Sequence, residues 1–201
     1  MPQLPQLKKG YIRGVRGLVV TRINGDGTDD ATATAYAIKT AQQVSVEVQS
    51  VGGEEALLRG GDMLLARVKD PDTIVAIKLA LQNARFDAQG IETIAGGTLI
   101  EVAEEDDTRV VGWEAPSIED QQTPPYFKAE AYAVNHNKRG GIDGYVKYTF
   151  YYCRATFGNE TLQDRNWVIP EMAIECMENP SLTGGLYKKE FVDDLPAEFA
   201  A

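Results

Sequence analysis

Val44-Ser45-Val46-Glu47-Val48-Gln49-Ser50-Val51 and Thr73-Ile74-Val75-Ala76-Ile77-Lys78-Leu79-Ala80-Leu81 decide the fold class of this chain. In the first stretch Val44, Val46 and Val48 recur at every second residue, with Ser45, Glu47 and Gln49 between them. That is the period of a strand with one apolar and one polar face. The second stretch puts Val75, Ile77, Leu79 and Leu81 on one side and Ile74, Ala76, Lys78 and Ala80 on the other. The two runs are expected to pair as a long antiparallel hairpin, with the valines and leucines turned to the core. Residues 52–72 between them exceed any tight turn and read as a long inter-strand loop punctuated by Gly52-Gly53, Gly60-Gly61 and Pro71. Leu57, Leu58, Met63, Leu64 and Leu65 make that loop too apolar for solvent and predict contact with a neighbouring subunit.

Further along the chain, alternation recurs at Tyr126 to Val134 and in the aromatic, β-branched run Tyr145 to Phe157. The segment between them holds Asn-Lys-Arg-Gly-Gly and Asp-Gly, which is turn chemistry and predicts a hairpin. Thr98 to Ala103 and Arg109 to Trp113 read as strands around the acidic turn Glu104-Glu105-Asp106-Asp107, and Ala115 to Pro125 as a linker. Trp167 to Met177 reads as a strand in which Pro170 marks an edge or a bulge. One helix is predicted over Ala88 to Ala95, capped by Asp87 and stopped by Gly96-Gly97, with Ile91 and Ile94 on its buried side. Beyond Gly184-Gly185, Tyr187, Phe191, Leu195 and Phe199 recur every four residues, as on one face of a helix that Pro196 would end. The expected architecture is all-β with one short flanking helix, two antiparallel sheets packed as a sandwich or barrel. It forms a single domain, 1–201, with an N-terminal arm (1–17), the loop 52–72 and a C-terminal arm (184–201) expected to lie over an adjacent subunit.

Composition bounds the function. The chain has 201 residues, 43% of them hydrophobic, enough for a core without disulfides or metal. Twenty Lys and Arg against 30 Asp and Glu leave a net charge of −10, which repels phosphate and anionic lipid at long range. No stretch approaches the roughly 18 apolar residues of a membrane span, and residues 1–10 lack the apolar segment of a secretion signal, so a cytoplasmic product is expected. His136, the single histidine, falls in an expected hairpin tip, and Ser45, Ser50, Ser117 and Ser181 lack a nucleophile-elbow context. Cys153 and Cys176 sit in apolar runs and read as reduced core thiols. Neither C-x-x-C nor H-x-x-x-H spacing is present for zinc. Asn24 to Asp30 lacks the closing glutamate of a calcium loop and reads as a turn. Glu171, Glu175 and Glu178 crowd one region, but charged positions with even spacing on a strand, as Glu171 and Glu175 have, read as a solvated face. No catalytic residue, cofactor or metal is expected.

The chain from Gly10 to Gly185 resembles a major tail protein, the tail tube protein of long-tailed bacteriophages. The resemblance rests on the entry Lys9 to Val20, on the strand Val44 to Val51 before a glycine-rich loop, on the aromatic hairpin Pro124 to Tyr132 with Gly144 to Tyr152, and on Trp167 to Met172 as a last long strand. It implies rings of six copies stacked into a hollow tube through which the genome leaves, assembled in the host bacterial cytoplasm and ending in the virion tail. It also implies a tape measure protein and a tail terminator as partners, genomic DNA passing without specific binding, and no membrane contact. On that pattern Ser45, Glu47, Gln49 and Lys78 would face the lumen, and Leu57, Leu58, Met63, Leu64 and Leu65 would seal one ring against the next. Tyr187, Phe191, Leu195 and Phe199 would hold the C-terminal arm on its neighbour. Other tail components, a contractile or type VI inner tube, and a small β-sandwich binding protein using Trp113, Trp167 and the tyrosine-rich hairpin remain as alternatives.

Overall fold

A computed structural model describes residues 9–103, 108–117, 124–157, 160 and 162–199. Residues 1–8 of the expected arm, the acidic turn 104–107 and residues 118–123 of the expected linker lie outside that set. Twelve strands are described: β1 (Tyr11–Ile23), β2 (Tyr36–Ile38), β3 (Ala41–Val51), β4 (Glu55–Gly60), β5 (Met63–Lys69), β6 (Thr73–Asn83), β7 (Thr98–Ala103), β8 (Thr108–Glu114), β9 (Tyr126–His136), β10 (Ile142–Phe157), β11 (Glu171–Cys176) and β12 (Tyr187–Val192). One helix, α1 (Ala88–Ala95), and a 3-10 turn at Ala197–Phe199 complete them.

The fold is all-β with one short helix. Eight strands form one antiparallel sheet in the order β2-β1-β9-β10-β11-β6-β3, and β12 also pairs with β10. The two layers expected from the sequence are therefore two limbs of one curled sheet, in which β3 returns toward β1. Between the limbs lie Leu18 and Val20 of β1, Ile77, Leu79 and Leu81 of β6, Phe127 and Ala129 of β9, Phe150 of β10, and Met172 and Ile174 of β11. Helix α1 closes one side with Ile91 and Ile94. Its expected bounds hold: the Asp87 carboxylate accepts from the Gly90 amide, and Gly96 ends the helix at φ 78°. The Asp87 carboxylate also accepts from the Tyr36 hydroxyl, which joins the cap to β2.

Four expectations are corrected. Residues 11–17 are no free arm but the first half of β1, paired with β9 from Tyr11 opposite His136. Residues 52–72 are no loop: β4 and β5 pair there as a separate hairpin, turned at Gly61 with φ 62°. Trp167 to Pro170 do not continue a strand, and Trp167 is 94% exposed. The proline ends the ladder, so β11 begins at Glu171.

The largest correction is the C-terminal segment. It is extended and packs on its own sheet, because β12 pairs with Tyr145 to Phe150 of β10. β10 has 16 residues and β11 covers only Cys153 to Phe157, so one edge of its first half needs a partner. β12 supplies it. Tyr187 stacks on Phe150 at 5.7 Å between ring centroids, and Phe199 meets Tyr132 edge-on at 5.5 Å. Leu195 is half-buried, and Phe191 is 40% exposed. Gly17 makes room for this docking, since a Cβ there would lie 2.5 Å from both the Ile38 carbonyl and the Phe199 ring.

Candidate assembly surface

The expected pairing of β3 with β6 is present and sets Glu47 opposite Lys78. Leu79 is 2% exposed and Ile77 and Leu81 are buried, as their alternation requires. The valines of β3 behave differently. Val44 packs against the core, but Val46 is 42% and Val48 45% exposed. On β6, Val75 is likewise open. On the edge strand β3 cover is lost from Val46 onward, whereas on β6 Ile77, opposite Val48, is still buried and the side chains open only at Val75 and Ile74. A cleft of about 310 Å³ lies here, lined among others by Val15, Val46, Tyr132 and Tyr148.

The exposed apolar end continues into β4 and β5. Leu57, Leu58, Met63, Leu64, Leu65 and Val68 are all exposed, Met63 by 70%. Since successive residues of a strand point to opposite faces, Leu57 and Leu58 make both faces of this hairpin apolar. An isolated two-stranded hairpin is marginal in water. Its base is pinned by the Asp70 amide donating to the Glu54 carbonyl and by the Asp72 carboxylate accepting from the Gly53 amide. A second hairpin, β7 with β8, exposes Ile100, Val102, Val110 and Val111. The indole of Trp113 donates to the Gly96 carbonyl at 2.8 Å and anchors it to the end of α1, which gives that tryptophan a structural job. This second apolar face was readable from the alternation of Ile100 and Val102 and was missed.

The outer face of the β3, β6, β11 and β10 limb is polar and small. Ser45 and Ala80 stand opposite one another, as do Ala173 and Thr156. Across the middle runs a register row of alternating charge: Glu47, Lys78, Glu175 and Arg154. Arg154 and Glu175 are in contact at 2.8 Å, and the Glu175 carboxylate is the main cause of the raised Arg154 pKa. The Gln49 amide donates to Glu47 at 2.9 Å. Along this row two carboxylates alternate with two cations. The alternation groups Ser45, Glu47 and Gln49 and marks Lys78 and Glu175 as polar strand positions, but only the sheet register places Glu175 and Arg154 in the same row as Glu47 and Lys78.

The chemistry-bearing residues stay apart. His136 sits at the β9–β10 turn with Nδ1 3.1 Å from the Gly140 carbonyl. The carboxylates of Asp26 and Asp30 accept from Thr28 and Thr32 inside their own turns, which lowers both pKa values. Among the described residues no group of three or more His, Cys, Asp or Glu side chains converges as a metal site would need. No helix among them is long and apolar enough to cross a membrane.

No family model matches the chain, and no curated protein matches it. Among solved structures, a chain of the anti-feeding prophage baseplate, determined by cryo-electron microscopy with sixfold symmetry, aligns with 90% of this chain and 99% of its own length. The TM-score is 0.34 and the identity 9%.

Proposed function

We propose that this protein is the repeating unit of a phage-type tail tube, assembling in sixfold rings that stack into a conduit for DNA. The observation that carries the reading is the far end of β3 and β6 with its hairpin: a strand alternation that demands an apolar partner, left exposed at Val46, Val48, Val75 and the leucines of β4 and β5. Edge strands that long and apolar are a liability in a lone monomer, and burial against further copies removes it. Repetition around a closed ring does this with one surface used by every copy. Tape measure protein and tail terminator would then be its partners in the tail, and the role is structural, not enzymatic.

The polar outer face suits the wall of such a conduit. Its paired charges give phosphate little to bind. With Ser45, Glu47, Gln49 and Lys78 on the wall, Glu47→Lys leaves tubes intact and makes DNA bind to them with a steep loss of affinity as salt rises. Tubes of that variant that handle DNA like the parent would remove this face from the lumen. The proposal itself is tested by negative-stain microscopy and sedimentation over a range of concentrations. Rings or hollow tubes are expected, and a strictly monomeric protein at high concentration sinks the reading.

A further inference from the structure

Cys153 and Cys176 are both fully buried and free in the structure. They come from β10 and β11 and stand directly opposite one another in the register, with their Sγ atoms 2.8 Å apart. The register also fixes the kind of pair. The Met177 amide donates to the Tyr152 carbonyl at 2.9 Å, one position outside the two cysteines on each strand. In an antiparallel ladder that bond leaves Cys153 and Cys176 as a non-hydrogen-bonded pair, the class with Cα atoms about 4.5 Å apart and the closer side chains. This spacing falls within the roughly 4.4–6.8 Å that a disulfide spans without moving the backbone. From the sequence the two thiols read as independent core residues, and nothing in their spacing of 23 positions pairs them.

We propose that Cys153 and Cys176 are an oxidation site: a latent cross-strand disulfide that a small-molecule disulfide closes when the chain folds under oxidising conditions. One cysteine thiolate attacks the oxidant, breaking its S–S bond, and a mixed disulfide forms while the first small thiol leaves and takes up a proton. The second cysteine, deprotonated, attacks the protein sulfur of that mixed disulfide, the Cys153–Cys176 bond forms, and the second small thiol leaves. Two protein thiols are oxidised and one small disulfide is reduced to two thiols. Burial, with Cys176 alongside, pushes the Cys153 thiol upward, so the folded interior holds little thiolate and exchange runs on the open chain before β11 docks.

The position of the bond gives it a consequence. β11 is the strand that joins β10 to β6 and β3 in the sheet order, so a staple there ties the limb bearing the exposed apolar end to the rest of the sheet. Both thiols belong to one chain, and their oxidation does not depend on the ring proposed above.

The test is refolding of the full chain from denaturant in a mixture of reduced and oxidised glutathione, followed by acid quenching, alkylation and intact mass measurement. The expected product is a monomer that has lost two hydrogen atoms, takes up no alkylating agent until reduced, and melts roughly 7–14 °C above its reduced form. Adding dithiothreitol should return the melting point to the reduced value. Refolded monomer that alkylates at both cysteines, carries glutathione, or forms disulfide-linked dimers overturns the proposal. Cys153→Ser and Cys176→Ser, where they fold, should melt at the same temperature with and without the oxidant, and a melting point that still rises with oxidant in either variant counts against the pair.

Discussion

The C-terminal segment and the β4–β5 hairpin look alike in sequence, since both are glycine-bounded stretches with more large apolar residues than a solvated segment carries. Both invite a neighbouring subunit. The fold treats them oppositely. The C-terminal segment finds a vacant edge on β10 and becomes β12, with Tyr187 on Phe150 and Phe199 on Tyr132. The hairpin pairs only with itself and keeps its leucines exposed on both faces. What separates them is the supply of partners in the same chain: β10 is longer than β11 can cover, whereas the far end of β3 and β6 stays exposed at Val46, Val48 and Val75.

Truncation after Gly185 should break the comparison most severely. It strips an edge from β10 and deletes the half-buried rings of Tyr187 and Phe199 that pack on Phe150 and Tyr132, whose loss costs less each than the about 3–5 kcal/mol of a fully buried aromatic. The melting point should fall by roughly 10 °C or more, followed by circular dichroism. An unchanged transition would make β12 the free arm that its sequence suggested.

A smaller loss is expected from Gly17→Ala. The glycine has φ 155°, and the added Cβ would strike a backbone carbonyl as well as the Phe199 ring. About 1–3 kcal/mol of stability should be lost, read by urea denaturation. A neutral result would mean that the 3-10 turn carrying Phe199 can lift away from β1 without cost.

Acid titration sharpens the same edge. Lys188 first and Lys147 second hold the Glu190 carboxyl at about 2, below its ordinary 4.5. The folded value is the depressed one, so this contribution is fully present above about pH 4.5 and is lost as the pH falls through about 2. Lys188→Gln should therefore lower the melting point slightly at neutral pH and move the acid-unfolding midpoint slightly upward, with the difference from the parent vanishing below about pH 2. A shift in the opposite direction would disprove the assignment of Lys188 as the main cause.

The smallest effect on stability belongs to the hairpin. Replacing residues 54–70 by a short Gly-Ser linker should leave the melting point within about 2 °C, because exposed residues contribute little to a monomer. The variant should form no tubes under the microscope. Tubes of ordinary length would take Leu57, Leu58, Met63, Leu64 and Leu65 out of the interface. A collapsed melting point would show that the hairpin supports its own chain.

The sequence by itself determined the elements whose cause is local. Two-residue alternation placed β3, β6, β9 and β10, and the Asp87 cap with Gly96-Gly97 bounded α1, since period, capping and turn chemistry act within a few residues. It also showed that the face bearing Ser45, Glu47 and Gln49 is polar. Only the tertiary structure decided what each apolar face meets. Val46 and Leu79 belong to equally clear alternating patterns and stand opposite one another, yet one is 42% exposed and the other 2%, because β3 is the edge of the sheet whereas β6 lies between β3 and β11. The docking of β12, the charge row from Glu47 to Arg154 and the facing of Cys153 with Cys176 likewise depend on which strands become neighbours. Strand neighbours are chosen by edge lengths and register across residues far apart in the chain, and no local pattern carries that information.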